Sequence, residues 1–249
     1  MVKIGIIGGS GLDNPDILKE VREEMVDTPY GKPSSPLKVG AIHNKEVVLI
    51  ARHGHNHTIP PTQVNYRANI WALKDQECDY ILATTACGSL RLEIERGDLV
   101  ILDQFIDFTR LRKISFFEEF PPGAAKHTAM AYPYSEELRK ILIDTAEELN
   151  LKYHKKGTVI TIEGPRFSTR AESEMFRIWG ADVINMSIAP ETILANEVAI
   201  PYAAVAMSTD YDCWKDDEVP VTWDEILHIF NKNVNNVITL LTNAIKKIN

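Results

Sequence analysis

The chemistry-capable residues of this chain cluster where apolar runs end. Ser208-Thr209-Asp210-Tyr211-Asp212 follows one such run and carries two carboxylates one residue apart. In an extended segment they face the same way and raise each other's pKa, the condition for acid–base work. A solvated turn is the competing reading, stronger for Asp212 than for Asp210. Arg52-His53 ends another run: the guanidinium offers a planar fork of donors and the imidazole one more, a pair suited to an anion. His53, His55 and His57 alternate as metal ligands on a strand do. Gly54 and Pro60-Pro61 interrupt that strand, however, and no carboxylate or thiolate completes the set. Anion capture is therefore the better use, with His55 and His57 as loop-packing residues.

Three more strand ends add polar groups. Gly8-Gly9-Ser10-Gly11 can bind an anion through backbone N–H groups and a hydroxyl, or can simply be a tight turn. It is not the dinucleotide fingerprint, because Asn14 stands where the third glycine belongs. Thr84-Thr85-Ala86-Cys87-Gly88-Ser89 presents hydroxyls and small residues, with Cys87 read as a buried small side chain rather than a nucleophile. Asn185-Met186-Ser187 does the same. Glu163 to Arg170 adds charge and a single aromatic, Phe167, able to stack on a planar ligand or to pack in the core. Together these ends fit a small anion beside a polar, planar molecule.

The positioning elements follow from the apolar pattern. Val2–Ile7, Val47–Ala51, Tyr80–Thr84, Leu99–Leu102, Val159–Ile162, Val183–Met186 and Tyr202–Met207 read as strands buried on both faces. Helical spacing marks Val64–Lys74, Ser135–Asn150, Pro190–Val198 and a final helix opening at Thr222 with a capping-box spacing to Glu225. The alternation predicts an α/β fold, a single domain over residues 1–249 with a central mixed β-sheet flanked by helices. The stretch 112–134, rich in proline and phenylalanine, is too long for an ordinary loop and reads as a lid or an interface. A net charge of −8 argues against a nucleic-acid or anionic-membrane surface. Three scattered cysteines exclude a disulfide scaffold, and the short apolar N-terminus does not make a signal-peptide core, so a cytoplasmic location is expected.

The longer blocks are specific enough to compare. Gly-Ile-Ile-Gly-Gly-Ser-Gly-Leu (5–12), Ala-Arg-His-Gly (51–54), Thr-Thr-Ala-Cys-Gly-Ser-Leu (84–90), Ile-Glu-Gly-Pro-Arg-Phe-Ser-Thr-Arg-Ala-Glu-Ser (162–173) and Ala-Met-Ser-Thr-Asp-Tyr-Asp-Cys-Trp (206–214) resemble the methylthioadenosine phosphorylases. These are a branch of the trimeric purine nucleoside phosphorylases. Val64 to Leu73, Asp103 to Asp107 and Trp179 to Met186 extend the resemblance over nearly the whole chain.

The resemblance implies phosphorolysis, with inorganic phosphate as co-substrate, no metal and no other cofactor. Ser10, Arg52, His53, Thr85 and Ser187 would hold the phosphate, with Ala86 lining its pocket. Met186 would lie against the ribose and Phe167 against the base. Asp210 would be the catalytic residue, donating to purine N7 while accepting from a 6-amino group. Family members acting on 6-oxopurines carry Asn there and Glu in place of Ser168, so Asp210 and Ser168, with Asp212 beside them, imply adenine. His127 matches a residue that relatives lend to a neighbouring subunit's 5′ pocket, which implies a homotrimer or homohexamer. Trp223 stands where the family usually has a small apolar residue. Its indole either narrows the 5′ pocket, standing in for the C-terminal cover of some relatives, or packs the final helix. A broader nucleoside specificity, including adenosine, inosine or methylthioinosine, is the alternative.

Overall fold

The computed structural model describes residues 2–9, 17–217 and 222–249. Its Val- and Ile-rich runs form strands because β-branched side chains pack well on a pleated surface covered on both sides. Eleven strands occur among the described residues, in one mixed sheet. They are β1 (Lys3–Gly8), β2 (Lys19–Glu24), β3 (Leu37–Ile42), β4 (Lys45–Ala51), β5 (Tyr80–Ser89), β6 (Leu99–Ile101), β7 (Gln104–Phe108), β8 (Tyr153–His154), β9 (Thr158–Ile162), β10 (Val183–Asn185) and β11 (Tyr202–Asp210). The helices are α1 (Tyr66–Asp75), α2 (Glu136–Glu148), α3 (Arg170–Ile178), α4 (Ile188–Glu197) and α5 (Trp223–Lys247). Side-chain caps start several of them: Asn65 accepts from the Ala68 N–H, Ser135 from Leu138, and Thr169 closes a capping box with Glu172.

Alternate residues of each central strand serve opposite faces. Ile7, Val48, Ile50, Ile81, Ala83 and Ala204 pack with Ile70 and Leu73 of α1 and Leu194 of α4. Ile4, Ile6, Val47, Leu49, Leu82 and Val205 pack with Leu138 and Leu142 of α2 and Phe230, Leu241 and Ile245 of α5. The sheet is thus the middle of three layers, as the sequence pattern predicts.

Strand β5 is the branch point. Its Ile81 pairs with Gly5 of β1 on one edge and Tyr202 of β11 on the other; its Gly88 pairs with Ile184 of β10 and Asp210 of β11. Strands β1 and β10 therefore share an edge of β5 but leave it at different points. Between Ala83 and Gly88 neither pairs with it. That unoccupied stretch, Thr84 to Cys87, is where a sheet has free backbone groups and room for a ligand.

The stretch 112–134 contains no regular element. Its start is anchored, since Phe116 packs 5.0 Å from the Tyr30 ring and 5.4 Å from Trp71.

Candidate active site

A cavity of about 740 Å³, open mouth included, lies over the gap in β5. At one end Arg52 emerges from β4 almost fully buried, 1% exposed. Its Nε and Nη2 donate to the two carboxylate oxygens of Glu191 at 2.5 and 2.9 Å, and Nη1 donates to the Thr84 carbonyl at 2.8 Å, on the free edge of β5. The Tyr202 hydroxyl donates to Glu191 at 2.9 Å. Burial opposes the guanidinium charge, but the Glu191 carboxylate outweighs it and holds the arginine pKa above its ordinary value. The fork is thus fixed from behind, in one orientation, by a helix and three strands.

Hydroxyls stand beside it. Thr85 donates to the Ala86 carbonyl at 2.9 Å, and its oxygen accepts from the Asn185 amide at 3.3 Å and lies 3.5 Å from Ser187 Oγ. Ser187 is the residue before α4, and its side chain makes no capping bond to that helix. Ser187 itself lines the cavity. His53 donates from Nδ1 to the Ile59 carbonyl at 2.9 Å and stacks on His57 with ring centroids 4.3 Å apart.

The other end belongs to β11 and the loop before α3. Opposite the Cys87–Gly88 step of β5, strand β11 carries an extra residue, because Ser208 pairs with Cys87 and Asp210 with Gly88. A bulge of this kind re-aims a side chain, here that of Asp210. A Cβ on Gly88 would lie 2.9 Å from Asp210 Oδ1, so only glycine leaves space for this carboxyl. Asp210 accepts from the Thr209 hydroxyl at 2.7 Å and the Asp212 N–H at 2.7 Å. Burial lifts its pKa to about 6 against those two bonds, and the Asp212 charge adds to the rise. Asp212 is itself buried and takes the Ser168 hydroxyl between its two oxygens, 2.7 Å from each. The solvated-turn alternative therefore falls for both aspartates. Phe167 is 40% exposed at the cavity mouth, which removes the core-packing reading for that ring.

Met186 also lines the cavity. A Cβ on Gly164, whose φ is +66°, would lie 2.5 Å from its Sδ. The buried Arg112 donates to the Met186 carbonyl at 2.5 Å, to Tyr66 Oη at 2.9 Å and to the Glu163 carbonyl at 2.7 Å.

Arg52, His53, Thr85, Ala86, Ser187, Met186, Phe167, Ser168, Asp210 and Asp212 all line this one cavity. His127 does not: it sits in the exposed part of 112–134, its ring against Phe120. Ser10 and the Trp223 side chain lie outside the described residues. Cys87 is buried and its thiol pushed far above the ordinary value by burial, so it is inert.

Comparison with known proteins settles the lineage. Residues 3–246 match the family model described as "Phosphorylase superfamily". The S-methyl-5′-thioadenosine phosphorylase of Xenopus tropicalis is 57% identical over 99% of this chain and 89% of its own length; that of Danio rerio is 54% identical over the same shares. The chain belongs to the methylthioadenosine phosphorylase family. A solved methylthioadenosine phosphorylase of Schistosoma mansoni, in complex with adenine, superposes with a TM-score of 0.93 at 43% identity, covering 98% of this chain and 91% of that one. Another from the same organism, a variant described as an adenosine/methylthioadenosine phosphorylase, holds methylthioadenosine and superposes at 0.92 with 42% identity, over 98% and 91% of the two chains.

Within this family member, four structural contributors escape the sequence reading: Glu191, Arg112, Gly88 and Gly164. Glu191 alone leaves a signal, as the single carboxylate early in the otherwise apolar segment Ile188–Glu197. An acid with no polar face to share is a buried partner waiting for a cation. Arg112, Gly88 and Gly164 depend on contacts with residues more than 20 positions away.

Proposed function

We infer that the chain catalyses phosphorolysis of S-methyl-5′-thioadenosine to adenine and 5-methylthioribose 1-phosphate, a pentosyl transfer of purine and methionine salvage. One observation carries this: a buried carboxyl with its pKa lifted to about 6, Asp210, shares a cavity with the donor cluster of Arg52, Thr85 and Ser187. Phosphate occupies the Arg52 end, held also by His53, Ala86 and Ser10. A phosphate oxygen forms the bond to C1′ while the C1′–N9 bond breaks, its electron pair leaving with the base. Asp210 delivers its proton to N7, and the phosphate charge stabilises the cationic ribosyl transition state. Phe167 flanks the base, Met186 the ribose, and Asp212 fixes Ser168 at the purine edge. No cofactor beyond inorganic phosphate enters the reaction.

Two finer points belong to the same reading. The protein works as a homotrimer or homohexamer, each copy lending His127 from the exposed 112–134 stretch to a neighbour's 5′ pocket, with Trp223 near the same pocket. Its free cysteines suit the reducing cytoplasm. Phosphorus NMR tests the reaction: a new sugar-phosphate ester should form in step with adenine, only when phosphate and nucleoside are both present. Adenine release without an ester would mean hydrolysis and would remove the phosphate assignment. The relative described as an adenosine/methylthioadenosine phosphorylase favours adenosine as a second substrate.

A further inference from the structure

We propose that His53 is the residue by which this site tells phosphate from sulfate, its Nε2 lone pair accepting a hydrogen bond from a protonated phosphate oxygen. The proposal rests on assigning the Arg52 end of the cavity to phosphate.

The argument starts from a double tie. The Ile59 N–H donates to the His53 carbonyl at 2.9 Å, and His53 Nδ1 lies 2.9 Å from the Ile59 carbonyl. A carbonyl only accepts, so Nδ1 carries the hydrogen. The ring is fixed further by its stack on His57. Ile59 is not part of the cavity lining whereas His53 is, so Nε2 is the polar ring atom left for a ligand.

A second proton at Nε2 would place an imidazolium in the interior beside the Arg52 guanidinium. Burial, Arg52 and His57 together hold the His53 pKa at about 3, so the ring is neutral in any ordinary buffer. The charged groups around it do not reverse this. Arg52 is paired with Glu191 from α4, Arg112 with Glu163, and Asp210 and Asp212 of the β11 end lie across the cavity. The phosphate end is therefore close to electroneutral and presents one fixed acceptor.

A fixed acceptor needs a hydrogen from the ligand. Phosphate near neutral pH carries one or two; arsenate does too; sulfate carries none. A sulfate oxygen would meet the Nε2 lone pair with no hydrogen between them, leaving both unsatisfied. With its protonated oxygen parked on His53, phosphate keeps its bare oxygens for C1′.

The test is competition of sulfate and arsenate with phosphate during turnover of S-methyl-5′-thioadenosine, in wild type and in His53→Gln, whose amide can turn either a donor or an acceptor to the ligand. In wild type the sulfate inhibition constant should exceed the phosphate KM by about 30-fold or more, while arsenate supports turnover with a KM within about threefold of that for phosphate. In His53→Gln the gap between sulfate and phosphate should shrink by about tenfold. The wild-type anion comparison needs no variant to fold. Sulfate within about threefold of phosphate in wild type overturns the proposal, since it marks His53 as a donor. If instead neither phosphate nor arsenate supports turnover while the nucleoside still binds, the anion assignment itself has failed, and the role of His53 goes with it.

Discussion

The two ends of the cavity are built by different means. At the proposed phosphate end the contacts of Arg52, Thr85 and Ser187 run back into the core: these residues are 1%, 6% and 3% exposed, and Arg52 is clamped by residues of β5 and α4. At the base end the groups hang on strand ends and a loop. Phe167 is 40% exposed, and Ser168 is oriented through its bonds to Asp212. An anion of fixed shape can be met by an immovable jig. Loop-borne residues can change without disturbing the core.

The sharpest way to break this contrast is Glu191→Leu. It leaves the Arg52 guanidinium buried without its carboxylate, and removing one partner of a buried pair costs about 3–5 kcal/mol. Urea denaturation should show that loss together with a raised phosphate KM; a loss below about 1 kcal/mol would mean the arginine relaxes to solvent and the jig does not exist. Next comes Asp210→Asn, expected to lower turnover of S-methyl-5′-thioadenosine by roughly 10²–10³-fold and to shift relative preference toward 6-oxopurine nucleosides. An unshifted preference measured on purified variant would take Asp210 out of base recognition.

The same carboxyl makes stability pH-dependent. Its pKa is about 6 when folded against 3.8 ordinarily, so the folded state binds its proton more tightly. The resulting stabilisation is complete below about pH 4 and disappears as pH rises through 6, about 3 kcal/mol at 1.36 kcal/mol per unit. The difference in unfolding free energy between wild type and Asp210→Asn should therefore change by roughly that amount across the window; a constant difference would contradict the burial of Asp210. Gly164→Ala should act more mildly, pushing Met186 aside and raising the nucleoside KM roughly tenfold while the phosphate KM stays put. Phe167→Ala should be smallest, about a threefold rise in nucleoside KM with stability within about 0.5 kcal/mol of wild type. A phosphate KM that moved in either variant would show that the two ends are coupled.

Much of this architecture is legible in the sequence where burial dominates. All seven Val/Ile-rich runs fall on strands and all four expected helical segments on helices; for three of the helices apolar periodicity reports which face is covered, and for Pro190–Val198 the proline of the first turn is the signal. The strands that escaped are those with little apolar content or length. Lys19–Glu24 is a charged, exposed edge strand, and Tyr153–His154 is two residues long. Gln104–Phe108 is only half buried, and Leu37–Ile42 is interrupted by a lysine and a glycine. Helix α3 was hidden behind the polar run that caps it. For the site, strand-end position brought out Arg52, Thr85, Ser187 and Asp210. What no local pattern encodes is partnership across the chain: Glu191 lies 139 residues from Arg52, and Arg112 lies 74 from Met186.

The central claim is that a buried carboxyl at position 210 and a phosphate clamp at position 52 act on one 6-aminopurine nucleoside. The most direct measurement compares phosphate-dependent base release from S-methyl-5′-thioadenosine, adenosine, methylthioinosine and inosine. Highest kcat/KM for S-methyl-5′-thioadenosine, with both 6-oxo nucleosides lower by on the order of 10³-fold or more, is the predicted result. Preference for inosine or methylthioinosine would leave the fold and the phosphate end intact and contradict the assignment of Asp210, Ser168 and Asp212 to an adenine-type base.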